Sequence, residues 1–333
     1  MTELEKEDIA LVAELPYNWE LLNNKVIMIS GGTGFIGSFI IDVIRYRNKR
    51  YSSNIKVISL SRRGGISDTT VENIQVDITC PIEYSSNIDY ILHLASNTHP
   101  KQYAEDPVGT ITTNVLGCNH LLMLAKEKKI SRFLLTSSVE IYGQGTEIPM
   151  DEEYCGYINC NNARSGYNEA KRTCEALCQS YMQQYGVESV IVRLARIFGA
   201  DKKKDTKAMS QFMEKAVAEE DIVLKSKGNQ RYSYCYVADA VSGIFKALLD
   251  GTAGQAYNVS DDDEGITLGG YAEFIASLAG KSVVYQIENN ASVSKATYAL
   301  LNCNKIKEIG WKPNFSVCNG LKRSYDIYKQ LMV

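Results

Sequence analysis

"KVIMISGGTGFIGSFIIDVIRYR", Lys25 to Arg47, is the stretch on which the fold turns. Its first six residues, "KVIMIS", are apolar and β-rich and read as a buried strand. They run into "GGTGFIG", after which "SFIIDVIRYR" continues with helical periodicity. Gly31, Gly34 and Gly37 therefore form G-x-x-G-x-x-G at a strand-to-helix turn. Glycines there permit the tight turn, let the backbone approach a pyrophosphate, and leave its charge facing the free N–H groups of a helix N-terminus. The motif predicts a dinucleotide site made by Gly31, Thr33, Gly34, Phe35, Ile36 and Gly37.

Working outward, "IKVISLS" (Ile55 to Ser61) arrives at the spacing of a βαβ unit. The pattern repeats with "IDYILHLAS", a helix through Asn114 to Lys128, "RFLLTSS", a helix containing Tyr167, and "SVIVRLARIFG". Strand and helix in alternation predict an α/β protein with a doubly wound parallel sheet of the Rossmann type. From about residue 200 the alternation loosens into the charged "DKKKDTK", the helix "ADAVSGIFKALLDG", the strand "QAYNVS" and the helix "LGGYAEFIASLAG". The expected organisation is an N-terminal extension (1–24) and a dinucleotide-binding domain (25–200) to which 231–262 returns. A smaller, mainly substrate-binding lobe (201–333) would lie over the carboxyl edge of the sheet.

Composition narrows the function. A net charge of −3 gives no electrostatic reason to expect nucleic acid or an anionic membrane as partner. Nine cysteines without a CxxC pair suit free thiols in a reducing compartment, and with only three histidines no metal site is expected. The acidic N-terminus lacks the basic lead of a signal peptide, and no apolar run is long enough to span a bilayer, so a cytoplasmic protein is expected.

The end of the second strand qualifies the cofactor. Sites that prefer NAD usually place an acid there, whereas this chain has Ser61, Arg62 and Arg63. An arginine suits the 2′-phosphate of NADP, so the expectation is NAD or NADP with a lean to NADP; a solvated basic turn accounts for the same residues. Asp77, in "VDIT" with Ile78, is placed to accept from an adenine amino group or to cap the strand end.

"RSGYNEAKR" (Arg164 to Arg172) sets Tyr167 and Lys171 four apart, on one helix face. Spacing alone is weak evidence, because Tyr325 and Lys329 share it and the chain holds 21 tyrosines. Context supplies the rest: about thirty residues earlier, a strand ends at Ser137 and Ser138. A phenol of pKa about 10 becomes a useful base only where a cation stabilises its phenolate, and Lys171 and an oxidised nicotinamide would both do so.

With these residues the chain resembles the extended short-chain dehydrogenase/reductase family, in particular its nucleotide-sugar epimerases, dehydratases and decarboxylases. "GGTGFIG", "HLAS", "TNVLG", "SSVEIYG", "YNEAK", "RYSYCYVADAV" and "IGWKP" carry the resemblance in order. "HLASNTHPKQYAEDP", "YCGYIN" and "EALCQSYMQQYGVE" look most like UDP-glucuronate decarboxylases. Departures stand at Ser61, Val139 and Arg196, where those enzymes usually carry an acid, a small hydroxyl residue and an asparagine.

The resemblance implies that Leu94, Ala95, Ser96 and Asn114 join the cofactor site. It also implies that Thr98, Tyr103, Ser137, Arg164, Arg196 and Arg231 face a nucleotide-diphosphate sugar. Arg196 could instead pair with Asp239 or another acid, and His93 most simply fills space beneath the cofactor. Tyr167 would take the proton of the sugar's 4-hydroxyl while hydride leaves, with Ser138 on the reacting oxygen and Lys171 on the nicotinamide ribose. The 4-ketosugar then loses carbon dioxide from a carboxylate at carbon 5, or a proton there before dehydration or epimerisation. The dehydratases resembled here place an acid at the position of Val139 to protonate the departing hydroxyl. Valine cannot do so, whereas carbon dioxide leaves unprotonated, which favours decarboxylation. Glu140 either handles a proton at carbon 5 or is a solvated strand-end residue. A 4,6-dehydratase, a 4-epimerase or ketoreductase, and a catalytically silent cofactor-binding scaffold remain as alternatives. A homodimer through the helices near Asn114–Lys128 and Gly166–Tyr185 is also implied.

Overall fold

The structure is a computed structural model that describes residues 1–65, 67–96, 104–201, 207–261, 266–287 and 298–332. Thr98 and Tyr103, expected at the substrate, lie outside these residues. The strands are β1 (Val26–Ser30), β2 (Lys56–Ser61), β3 (Val71–Gln75), β4 (Tyr90–His93), β5 (Arg132–Ser138), β6 (Ser189–Leu194) and β7 (Arg196–Phe198). There follow β8 (Ile222–Leu224), β9 (Arg231–Tyr232), β10 (Tyr234–Tyr236), β11 (Ala256–Val259), β12 (Val283–Tyr285) and β13 (Tyr298–Ala299). The helices are α1 (Glu3–Glu14), α2 (Phe35–Tyr51), α3 (Pro107–Lys128), α4 (Gly166–Tyr185) and α5 (Ala208–Val217). They continue with α6 (Val237–Asp250), α7 (Leu268–Leu278), α8 (Asn304–Glu308) and α9 (Val317–Met332).

Seven parallel strands form the central sheet in the order β3-β2-β1-β4-β5-β6-β11. Adjacent residues of each strand bury themselves on opposite faces. Ile27, Ile29, Leu134, Val190 and Val192 join one apolar cluster, with Ile40 and Ile44 of α2 and Phe245 of α6. Met28, Phe133, Leu135 and Ile191 join the other, with Leu121 and Leu122 of α3 and Cys174 and Cys178 of α4. Burial on both faces is why these strands read as continuous apolar runs. The strand order reverses between β1 and β4, the point beyond whose carboxyl ends open α/β sheets bind their ligands.

"SVIVRLARIFG" is two strands. Leu194 pairs with Ser138, the last residue of β5, so the ladder runs out there. Ala195 still donates to the Val259 carbonyl (3.1 Å), but Arg196 donates to Ser233 (3.2 Å) and β7 pairs with β10. The change of partner carries Arg196 away from the sheet and over its carboxyl edge.

Residues 1–24 form an integral part of the packing. Thr2 and Glu5 make a reciprocal capping box at the start of α1, whose Asp8, Ile9, Val12 and Ala13 are buried. The Asp8 carboxylate accepts from the Tyr236 hydroxyl (2.6 Å) and from Arg323 Nε (2.5 Å), which joins α1 to β10 and α9. Among the described residues, no helix is long and apolar enough to cross a membrane.

Candidate active site

Because all seven strands run the same way, the segments that follow them meet at one edge: Gly31 after β1, Ser61 at the end of β2, Leu94 to Ser96 after β4, and Ser138 at the end of β5. Gly31 has φ +78°, and a Cβ there would stand 2.9 Å from the Ala95 nitrogen. Any side chain would push β1 and β4 apart. A Cβ at Gly37 would collide with the Gly31 carbonyl, so the turn closes only on glycine. No side chain caps α2 and no acid lies in its first turn. Its leading N–H groups suit a diphosphate, and this cradle fits a dinucleotide.

Around the cradle, the Leu94 and Ala95 nitrogens donate to Ser30 Oγ (both 3.2 Å). Ser96 donates to Asn114 Oδ1 (2.8 Å), and Asn114 is anchored through Nδ2 to the Thr110 carbonyl (2.8 Å). Ser61 donates to the Gly64 carbonyl (2.9 Å) and shapes the turn that carries the exposed Arg62 and Arg63. The Asp77 carboxylate accepts from the Thr79 nitrogen (2.9 Å) and hydroxyl (2.8 Å), and these donors hold it below the usual carboxylate range. With the Cys80 nitrogen donating to the Asp77 carbonyl (3.0 Å), these bonds order the turn that follows β3. Ile78 is buried against Gly117. His93 is fully buried, 2.7 Å from Ser30 Oγ; burial, with a smaller push from the Lys171 cation, lowers its pKa to about 3. It is a neutral packing residue at ordinary pH.

Tyr167 stands in the first turn of α4 and Lys171 one turn on, 5% and 2% exposed. Lys171 Nζ donates to the Thr136 carbonyl (3.0 Å) and lies 5.9 Å from the centroid of the Tyr167 ring. Lys329 lies at the same 5.9 Å from Tyr325, but its ammonium is exposed and bound to Glu219 (3.1 Å). Spacing set the distance in both pairs, and burial separates them. Ser138 Oγ accepts from the Glu140 nitrogen (3.2 Å), which leaves its own proton to donate. Strand alternation puts Ser137 on the opposite face, where its side chain is buried.

Glu140 lies on the 3-10 turn Val139–Tyr142. Arg196 Nη2 approaches its Oε1 (3.4 Å) and Arg164 Nη2 its Oε2 (3.6 Å), while Asn168 Nδ2 donates to its carbonyl (2.7 Å) and to Oε2 (3.3 Å). Arg196 therefore does not pair with Asp239. That carboxylate instead accepts from Asn314 (2.7 and 2.9 Å) and the Phe315 nitrogen (3.0 Å). Val139 is buried at 4% exposure among apolar neighbours. Arg231 begins β9, opposite Tyr298 of β13.

The family model for the NAD dependent epimerase/dehydratase family matches residues 27–260. This chain belongs to that family. Among similar proteins, a UDP-glucuronic acid decarboxylase 5 of Arabidopsis thaliana is 33% identical over 313 residues, covering 90% of this chain and 88% of its own. A UDP-glucuronic acid decarboxylase 1 of Danio rerio is 28% identical, over 92% and 73% of the two chains. The solved UDP-glucose 4-epimerase of Thermotoga maritima, with UDP-glucose, superposes with a TM-score of 0.79 at 21% identity, over 92% of this chain and all of its own (100%). A dTDP-glucose 4,6-dehydratase of Streptomyces venezuelae, with NAD bound, gives 0.78 at 21% identity, over 92% and 97%. These two likenesses carry the fold.

As a member of the epimerase/dehydratase family, the chain is an enzyme that works with a nicotinamide dinucleotide. Its site also uses residues that the sequence reading passed over. Asn168 and Arg172 flank the Tyr167–Lys171 pair and bind the Glu140 and Ile141 carbonyls, and Tyr232 lies under the Arg196 guanidinium, 3.9 Å from ring centroid to Cζ. The first two sit in the quoted motif itself. Tyr232 gives no signal among so many tyrosines.

Proposed function

We propose that the enzyme decarboxylates a nucleotide-linked hexuronate, UDP-glucuronate, after oxidation at carbon 4. The observation that carries this reading is the pair Val139 and Glu140 at the reacting end of the site: an apolar side chain where a departing hydroxyl would need a proton donor, and a carboxylate held by two guanidiniums. The names of the relatives at 28–33% identity support the same choice.

Gly31, Gly34 and Gly37, with the first turn of α2, would hold the diphosphate of the cofactor, whose nicotinamide would supply a reversible hydride acceptor for carbon 4. Arg62 and Arg63, beside a Ser61 that replaces the usual acid, favour NADP over NAD, and Asp77 and Ile78 flank the adenine end. Identifying the dinucleotide released on denaturation tests this preference.

Tyr167 takes the 4-hydroxyl proton, Ser138 donates to the reacting oxygen and Lys171 supplies the cation beside the phenol. In the resulting β-keto acid the bond between carbons 5 and 6 breaks, its electron pair passes to the ketone as an enolate, and carbon dioxide departs unprotonated. A proton then returns to carbon 5. Arg231 and Arg164 suit the diphosphate and the sugar, since guanidinium planes match anionic oxygens.

Residues 25–200 with 231–262 would serve as the dinucleotide unit and 201–333 mainly as the substrate lobe. Exposed Val108, Ile111, Leu116 and Met123 on α3 and Tyr185 on α4 support a homodimer through these helices, and nine free cysteines suit a cytoplasmic location. Incubating the purified enzyme with UDP-glucuronate, UDP-glucose and dTDP-glucose, and weighing the products, tests the reaction. Loss of carbon dioxide from UDP-glucuronate is expected. Loss of water, or a product of unchanged mass, would assign dehydration or epimerisation instead.

A further inference from the structure

Two arginines three residues apart behave differently. Arg193, on β6, is fully engaged: its guanidinium donates to Glu175 (2.7, 3.1 and 3.3 Å), the Tyr142 hydroxyl (3.0 Å) and the Glu152 carbonyl (2.7 Å). That is the pattern of an arginine that holds structure together. Arg196 shows none of it. Its Nη2 makes one loose contact with Glu140 Oε1 at 3.4 Å, well beyond the roughly 2.7–2.9 Å of a strong charge-assisted bond. Its Nη1 is buried and meets no acceptor among the described residues. Stacking on Tyr232 fixes the guanidinium plane without using a single donor. Glu140 cannot satisfy it, because Arg164 claims the other carboxylate oxygen at 3.6 Å. Two cations thus share one anion at the carboxyl edge of the sheet, where ligands of such folds bind.

We propose that Arg196 is a specificity-determining residue that receives the carboxylate of the hexuronate, sharing its guanidinium between that group and Glu140. This rests on the decarboxylase reading. The position points to the sugar rather than to the diphosphate: Glu140 follows Ser138 by two residues and is bonded to Asn168, the neighbour of Tyr167. The sharing also suits the chemistry. A carboxylate tightly clasped by arginine is stabilised before it reacts, which opposes loss of carbon dioxide. An arginine already half-neutralised by Glu140 recognises the acid while holding it weakly.

The test measures calorimetric binding of UDP-glucuronate, UDP-glucose and UDP to the dinucleotide-loaded enzyme in a Tyr167→Phe background, where turnover stops. UDP-glucuronate is expected to bind more tightly than UDP-glucose. Adding Arg196→Gln should erase about tenfold or more of that preference and leave UDP affinity within about twofold. Adding Glu140→Gln, which releases the guanidinium, should strengthen UDP-glucuronate binding and leave UDP-glucose unchanged. An intact preference in Arg196→Gln, or an equal loss for UDP, overturns the proposal. Should that variant fail to fold, Glu140→Gln decides alone, and unaltered uronate affinity overturns it. Carbon dioxide release by the unmodified enzyme reports the reaction separately: its absence beside an Arg196-dependent preference would sink the decarboxylase reading and leave the anion site standing.

Discussion

Tyr167 and Lys171 illustrate what a residue pair can and cannot say. Their spacing was legible in the sequence, but the identical 5.9 Å at Tyr325 and Lys329 shows that spacing yields only proximity. Burial of Lys171 and its bond to the Thr136 carbonyl depend on a strand thirty-five positions away, beyond any local reading. Replacing Lys171 with Met should lower kcat by roughly a hundredfold or more. It should also destabilise the fold by about 1–3 kcal/mol, since a buried carbonyl loses its donor. Steady-state kinetics and urea denaturation read these two effects. Gly37 is the opposite case, fully legible from its motif. With a Cβ driven against the Gly31 carbonyl, Gly37→Ala should retain the dinucleotide about tenfold less well or worse, measured by cofactor titration.

Among elements, the 3-10 turn Val139–Tyr142 and α4 form one working unit. Arg172 Nε donates to the Ile141 carbonyl (2.7 Å) and its Nη2 to the Gly156 carbonyl (2.8 Å), while Asn168 binds the Glu140 carbonyl (2.7 Å). These staples fix the turn carrying Glu140 against the helix carrying Tyr167. Arg172→Met leaves two carbonyls without their donor and should cost about 1–3 kcal/mol of stability, with a fall in kcat larger than any change in KM. A variant with normal kcat and lowered stability would make Arg172 a purely structural strut. The alternation of strands and helices was readable because both sheet faces are buried. The break at Ala195 was not, because it is set by where β5 and β11 end rather than by any residue of its own run.

At the scale of the whole molecule, the N-terminal extension and the C-terminal helix meet at Asp8, a contact between residues more than three hundred positions apart. Residues 1–24 read only as an extension, and neither the helix α1 nor the partner of Asp8 was legible, since a carboxylate in sequence looks like any solvated acid. Acid sensitivity is also a property of the entire fold. His93 takes a proton at about 6.5 when unfolded but only at about 3 inside the sheet, so its contribution to stability falls as pH drops through that window. Asp239, raised to about 6 by burial that outweighs its three N–H donors, works in the opposite sense between about pH 4 and 6. Relative to the unmodified enzyme, His93→Gln should therefore gain about 1.4 kcal/mol per pH unit on acidification from 6.5 towards 3, a difference that urea unfolding at a series of pH values resolves. Turnover requires groups from β5 and α4 to meet beside a bound dinucleotide, and one comparison tests that most directly. Carbon dioxide release from UDP-glucuronate is to be measured for the unmodified enzyme and for Tyr167→Phe, each with its dinucleotide content determined. The expected result is full cofactor content in both and turnover in the unmodified enzyme alone; release by Tyr167→Phe at an undiminished rate would contradict the role of Tyr167 as the base.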